Sequence, residues 1–190
     1  MNLPNHGKYE WLPLLNGIVK DFKPKKIIEF GPGRGQTTIT MALALKELKI
    51  NSKINSYDIW DENYWGEKDN CIKEFKNWSV DNFINLEHLD FYDWIKLPKK
   101  DREFDLLYFD IDNNGDKLLD LYKNVKHNID NGSVVLFEGG SLERDNHGKL
   151  PGQVKKMNDV KNEIGYKVLT SNVKYSFSII YNKNLYNLEY

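Results

Sequence analysis

Glu29 and Phe30 run into Gly31, Pro32, Gly33, Arg34 and Gly35, and then into Gln36, Thr37 and Thr38. Three alternating glycines let a backbone turn tightly and approach a ligand closely. A helix starting just beyond them would add unpaired N–H groups and the positive end of its dipole. The same segment could be only a strand–helix turn that uses glycine for its geometry. Carboxylates recur farther along, at Asp58, Asp90, Asp110 and Glu138, each closing or following an apolar or β-branched run. Asp58 could accept both hydroxyls of a ribose, or it could cap a turn. Asp110 and Asp112 stand two apart above the run Phe104 to Ile111, and Glu138 precedes Gly139 and Gly140. Two carboxylates that share a pocket either bind a cation or push one pKa upward. A raised carboxylate can serve as a general base. Alternatively, both are caps exposed to water.

The elements that must position these residues alternate along the chain. Trp11, Leu12, Leu14, Leu15, Ile18 and Val19 form the apolar face of a first helix that ends before Pro24. Strands are expected over 26–30, 53–59, 83–89, 104–111 and 133–137, with helices over 37–48, 69–82, 117–129 and 154–164 between and after them. Residues 166–170 and 175–181 read as an antiparallel hairpin. Strand–helix alternation of this kind predicts one doubly wound α/β sheet, mostly parallel and seven-stranded, over a single domain, 1–190. Ligands of such sheets bind beyond the carboxyl ends of the strands, where all of the residues above are expected. The loop 139–152 lies beyond the fifth strand and offers Ser141, Glu143, Arg144, Asp145 and His147. His147 is a candidate base, or simply a solvated loop histidine. Trp60, Tyr64 and Trp65 could wall a ligand or merely pack.

Composition narrows the partners. With 27 Lys and Arg against 28 Asp and Glu, the formal charge is −1, without the basic surplus of a nucleic-acid binder. Hydrophobic residues make up 40% of the chain, enough for a globular core. Cys71 is alone, which excludes an intramolecular disulfide and a cysteine-built zinc site. It reads as a small buried residue in a helix. Met1 to His6 carries no apolar run, so no secretory signal is expected, and no stretch of 18 apolar residues spans a membrane. The expected compartment is the cytosol.

The dinucleotide fingerprint G-x-G-x-x-G would place its third glycine at Gln36. Here the spacing is G-x-G-x-G after an acidic residue, and in this the chain resembles the class I S-adenosylmethionine-dependent methyltransferases. The resemblance covers residues 26 to 182. It implies that Gly31, Gly33, Gly35 and Thr37 cradle the amino-acid part of S-adenosylmethionine, with Glu29 serving its ammonium group directly or through water. It implies Asp58 on the ribose, and Asp90 near the adenine amine with Phe91 packing on the ring. Glu29, Asp58, Asp90 and Asp110 end four strands in the family's order. Residues 104 to 140 are also similar to the cation-dependent O-methyltransferases of the catechol and caffeoyl-coenzyme-A type. Those carry D-x-x-D or D-x-D after strand four and an Asp-Asn pair after strand five. The family's Lys is Asn113 here and its Asn is Gly139. Asp110 and Glu138 could hold Mg²⁺ with waters, but the metal ligands stay open at this point.

The expected activity is methyl transfer to a small hydroxyl- or amine-bearing acceptor, with Asp110, Glu138 or His147 taking its proton. The rivals are a nicotinamide-dependent oxidoreductase and a non-catalytic member that keeps the fold. No N/D-P-P-Y/F/W sequence follows the fourth strand, which argues against base methylation of DNA.

Overall fold

A computed structural model describes residues 10–60, 68–147, 155–172 and 175–185. The chain divides into two compact units, Met1–Leu97 and Pro98–Tyr190.

The first unit holds three parallel strands, β1 (Lys26–Phe30), β2 (Lys53–Asp58) and β3 (Ile84–His88). β2 lies in the middle, with Phe30 opposite Tyr57 and Asp58 opposite His88. Ile27, Ile28, Glu29 and Phe30 are all buried, as a parallel strand covered on both faces requires. Helix α1 (Leu12–Phe22) turns Leu12, Leu15 and Val19 inward. Helix α2 (Gln36–Leu48) is buried without a break from Gln36 to Leu45, and after Gln36 that stretch is apolar or Thr all round. Asn16 of α1 donates to the Thr40 carbonyl at 3.1 Å, which satisfies a polar group between the two helices. Helix α3 (Lys68–Asn77) and the single turn α4 (Phe91–Trp94) complete the unit.

The second unit pairs β4 (Leu106–Phe109) parallel to β5 (Val134–Glu138), and β5 antiparallel to β7 (Phe177–Ile180). The edge strand β6 (Lys167–Thr170) pairs antiparallel with β7 through an irregularity at Val168–Thr170, the expected hairpin. Helix α5 (Gly115–Asp130) buries Leu118, Leu121, Val125 and Ile129 at helical spacing. Its start is capped by Asn114, whose side chain accepts from Asp116 N and Lys117 N at 2.9 and 3.3 Å. Short helices α6 (Leu142–His147) and α7 (Lys161–Ile164) follow. Among the described residues no helix is long and apolar enough to cross a membrane.

Several boundaries differ from the sequence expectation. α3 stops at Asn77 rather than Asn82, because Ser79 is left-handed (φ 53°) and Val80 N returns to Phe75 O at 2.9 Å. The fourth strand is four residues long, not eight. The expected helix over 154–164 is a 3-10 turn, Asn158–Val160, running into α7, and Val154 lies outside the described residues. The expected loop beyond β5 contains α6.

Candidate functional site

In the first unit the carboxyl ends of three adjacent strands come together. Gly31 N donates to Tyr57 O at 3.0 Å and Leu89 N donates to Asp58 O at 3.1 Å, so the segments leaving β1, β2 and β3 stay side by side. Gly31, Gly33 and Gly35 all have positive φ (77°, 54° and 80°), which explains glycine at alternate positions. Gly35 N closes the turn on Pro32 O at 2.7 Å, and a Cβ on Gly35 would lie 2.6 Å from Phe75 Cε1. The first bond of α2 runs from Ile39 N to Gly35 O at 2.8 Å. The N–H groups of Gln36, Thr37 and Thr38 therefore have no carbonyl of their own helix to bond.

Glu29 is the post to which this turn is tied. It is 0% exposed. Its Oε1 accepts from the Thr37 hydroxyl at 2.6 Å, and its Oε2 from the Thr38 and Ser56 hydroxyls at 2.6 and 2.7 Å. Burial pushes its pKa up, the three hydroxyls pull it back, and the nearby Asp58 charge adds to the rise. Enclosed in this way, Glu29 presents no open face to an ammonium group. It holds the start of α2 against β1 and β2 instead. Thr37 shares that duty through its hydroxyl and keeps its N–H for the helix start.

Cys71 Sγ donates to Gly33 O at 3.1 Å from α3. Burial, followed by the charges of Glu29, Asp58 and Glu74, pushes its thiol up to about 12. It is a buried packing residue, as its type suggests. Gln36 is the residue that sequence reasoning missed. Its side chain is buried, and its Oε1 has no hydrogen-bond partner among the described residues. A polar residue at the very position where a dinucleotide fold needs glycine was the available signal.

Asp58 closes β2. Its Oδ1 accepts from Ile59 N and Trp60 N at 2.7 and 3.3 Å, leaving Oδ2 for another donor. Trp60 is left-handed (φ 47°), and its buried Nε1 has no partner among the described residues. Tyr64 and Trp65 lie outside the described residues. Asp90 caps α4, its Oδ1 accepting from Tyr92 N at 2.7 Å. Phe91, expected to pack on a ligand ring, is 2% exposed and meets the Phe30 ring edge-on at 5.6 Å. The apolar β1 end draws it into the core, and the exposed ring of this turn is Tyr92.

The second unit carries the remaining candidates. Asp110 is half-buried just after β4. Asp112 is paired with Lys117 at 2.7 Å. Glu138, the last residue of β5, is 8% exposed and accepts from Arg144 Nε and Nη2 on one oxygen, at 3.2 and 3.1 Å. Burial raises its pKa, and the Arg144 charge works against that rise. Arg144 is held in turn: its own N–H donates to Ser141 Oγ at 3.0 Å, and its guanidinium lies 5.8 Å from the Tyr175 ring centre. Asp145 is 2% exposed and accepts from Asn113 Nδ2 at 3.1 Å and Asn158 N at 2.8 Å. Gly139 and Gly140 have φ of 105° and 92°. Their carbonyls accept from Ser178 Oγ at 2.7 Å and Tyr166 OH at 2.8 Å. His147 ends α6 exposed, and Glu143 accepts from Ser171 Oγ at 3.3 Å. Sequence reasoning had Arg144 and Asp145 only as members of a polar loop. Their partners arise from α6 folding back toward β5, which composition does not reveal.

A family model described as a methyltransferase domain matches residues 28–138. No curated protein matches the chain. Among solved structures, the O-methyltransferase TomG from Streptomyces achromogenes, involved in tomaymycin synthesis and solved in complex with S-adenosylmethionine, is similar. It shares 14% identity, with 90% of this chain and 79% of that one covered and a TM-score of 0.66. An O-methyltransferase from Bacillus cereus, in complex with S-adenosylhomocysteine, shares 14% identity over 95% of this chain and 85% of that one, with a TM-score of 0.65. A methyltransferase from Geobacter sulfurreducens also shares 14% identity, over 90% and 78%, with a TM-score of 0.59. These likenesses show the fold, which is the mostly parallel Rossmann-like sheet with antiparallel closing strands that the sequence predicts.

Proposed function

Since the chain belongs to the methyltransferase-domain family, we propose that it transfers a methyl group from S-adenosylmethionine to a small-molecule acceptor, as one domain over residues 1–190. The observation that carries this reading is the Gly31–Gly35 turn. Its three positive-φ glycines are anchored on Glu29 and set beside Asp58 at the ends of adjacent parallel strands. The residues present fit the cofactor. Asp58 Oδ2 is open to a ribose hydroxyl. The free N–H groups at the start of α2, with the orphaned Gln36 Oε1, suit the charged amino-acid end. Asp90 remains the candidate for the adenine amine, its second oxygen being outside the α4 cap. When bound, S-adenosylmethionine supplies an electrophilic methyl group on its sulfonium.

The chain's own work is to position, to exclude water and to hold a proton. Glu138 and Asp110 are the proposed proton acceptors, with exposed His147 a third. Burial makes Glu138 more basic than an ordinary carboxylate. The O-methyltransferases among the similar structures favour an oxygen acceptor over a nitrogen. The near balance of charge supports neither a nucleic-acid nor a membrane partner, and we place the activity in the cytosol.

Titration calorimetry with S-adenosylhomocysteine and with NADH tests the reading. Binding of the first and not the second is expected. Binding of NADH alone would return the chain to the oxidoreductases.

A further inference from the structure

We infer that Arg144 is this chain's built-in cation: its guanidinium holds the carboxylate at the end of β5 that a divalent ion would otherwise need. The end of β5 is where the similarity to cation-dependent O-methyltransferases would place a metal, so the oxygen donors there decide the matter. Glu138, Asp112 and Asp145 are each committed through at least one oxygen within the second unit, while Asp112 Oδ1 and Asn113 Oδ1 are buried with no hydrogen-bond partner among the described residues. Glu138 receives two N–H groups of Arg144 at 3.1 and 3.2 Å. Asp112 is paired with Lys117 at 2.7 Å. Asn113 spends its amide on Asp145, whose other oxygen takes Asn158 N at 2.8 Å. Among the described residues, no group of three His, Cys, Asp or Glu side chains is gathered to ligate an ion.

The position after Glu138 cannot supply the missing donor either. Gly139 has φ +105°, and a Cβ there would lie 2.6 Å from Met157 Sδ and 2.7 Å from Asn113 Oδ1. Any residue with a side chain would have to displace both and accept a strained backbone. Its glycine is thus built into the strand end, and the lost amide is part of the packing.

Electrostatics points the same way. A Mg²⁺ ion prefers to keep several waters and to bind through one or two carboxylates. Here the β5 carboxylate already forms a neutral pair with a guanidinium, and an ion arriving at Glu138 must first expel Arg144. Three contacts resist that: the bonds to Glu138, the Tyr175 ring, and the Ser141 cap that fixes the start of α6. Arg144 keeps the Nη1 hydrogens, for which no partner stands among the described residues. Those donors suit an anionic or hydroxyl oxygen of an acceptor, a planar recognition that a guanidinium performs well. Metal dependence is therefore replaced by a side chain on α6.

This inference rests on the methyltransferase reading only for where an acceptor oxygen would lie, and its test is separate from that reading. Mn²⁺ uptake is measured by electron paramagnetic resonance on the full chain, with and without S-adenosylhomocysteine. Wild type is expected to take up no Mn²⁺ at millimolar concentration, and its melting temperature should be the same in chelator as in Mg²⁺. Arg144→Met frees the carboxylate and should gain Mn²⁺ uptake, which the double variant with Glu138→Gln should lose again. Arg144→Lys keeps the charge and should stay without uptake. Uptake by wild type that Glu138→Gln abolishes overturns the inference. A folded Arg144→Met protein that binds no Mn²⁺ overturns it as well. Should Arg144→Met fail to fold, the wild-type and Glu138→Gln titrations still decide. Failure to bind S-adenosylhomocysteine would instead strike the methyltransferase reading and leave the ion measurement standing.

Discussion

Glu29 shows how a single carboxylate can be more architectural than its place in a motif suggests. Its native pKa lies above the ordinary value of 4.5, chiefly through burial. Between the unfolded and folded values the native state holds a proton that the unfolded state has lost. Wild-type stability should therefore fall as pH rises through that window. Glu29→Gln removes the titration, so urea midpoints measured across the same window should lose this slope. Asp58 is placed to do two things at once, since Oδ1 serves the Ile59 and Trp60 turn while Oδ2 has no partner among the described residues. Asp58→Asn keeps an acceptor oxygen for the turn and places an amide where the ligand's hydroxyl would donate. The expected result is a loss of S-adenosylhomocysteine affinity of about tenfold or more, or roughly 1.4 kcal/mol, with the melting temperature of the free protein held. Asp58→Ala should lose both, at about 1 kcal/mol for the turn. Calorimetry and thermal melts on the two variants separate these effects.

Glycine has opposite meanings in two helices. Gly17 sits inside α1 with open space around it, so Gly17→Ala should stabilise the protein by about 0.5–1 kcal/mol. Gly35 starts α2 at φ 80° with Phe75 against it, and Gly35→Ala should cost about 1–3 kcal/mol. Denaturant melts of both variants check the contrast. The same contrast marks what was legible in the sequence. β1 was read residue for residue, because Lys26–Phe30 is a β-branched run stopped by Gly31. The glycine turn and the acidic strand ends were legible for the same reason: residue type and spacing carry them. α4 was hidden because its four residues, FYDW, are too few to show a period. α6 was hidden because Leu142–His147 is polar and buries only Asp145, so its stability comes from partners distant in sequence. Phe91 was misplaced for a related reason, since nothing local distinguishes a ring that faces a ligand from one that faces Phe30.

The family match runs unbroken across the Leu97–Pro98 boundary between the two compact units. On that continuity we propose that the two units are halves of one domain. The chain offers a convenient check. All five tryptophans (Trp11, Trp60, Trp65, Trp78 and Trp94) belong to the first unit, and none to the second. Tryptophan fluorescence therefore reports the first half alone, whereas far-ultraviolet circular dichroism reports both. In urea the two curves should superimpose, as for a two-state domain. A fluorescence midpoint distinct from the dichroism midpoint would mean that the halves unfold separately. The strand–helix alternation was legible over the whole length, because each buried strand is short, apolar and bounded by turn residues.

Cys71 turns the glycine loop into something that can be timed. It is the chain's single thiol, it hydrogen-bonds Gly33 O, and burial pushes its pKa up to about 12, so it stays a thiol rather than a reactive thiolate at pH 8 while the loop stays closed. An alkylating probe added to the folded protein therefore modifies almost exclusively those molecules in which α3 and the turn have parted. The labelling rate becomes a clock for that opening, read on intact protein by a single mass increment. A ligand that settles into the turn stops the clock, whatever acceptor it is later to meet.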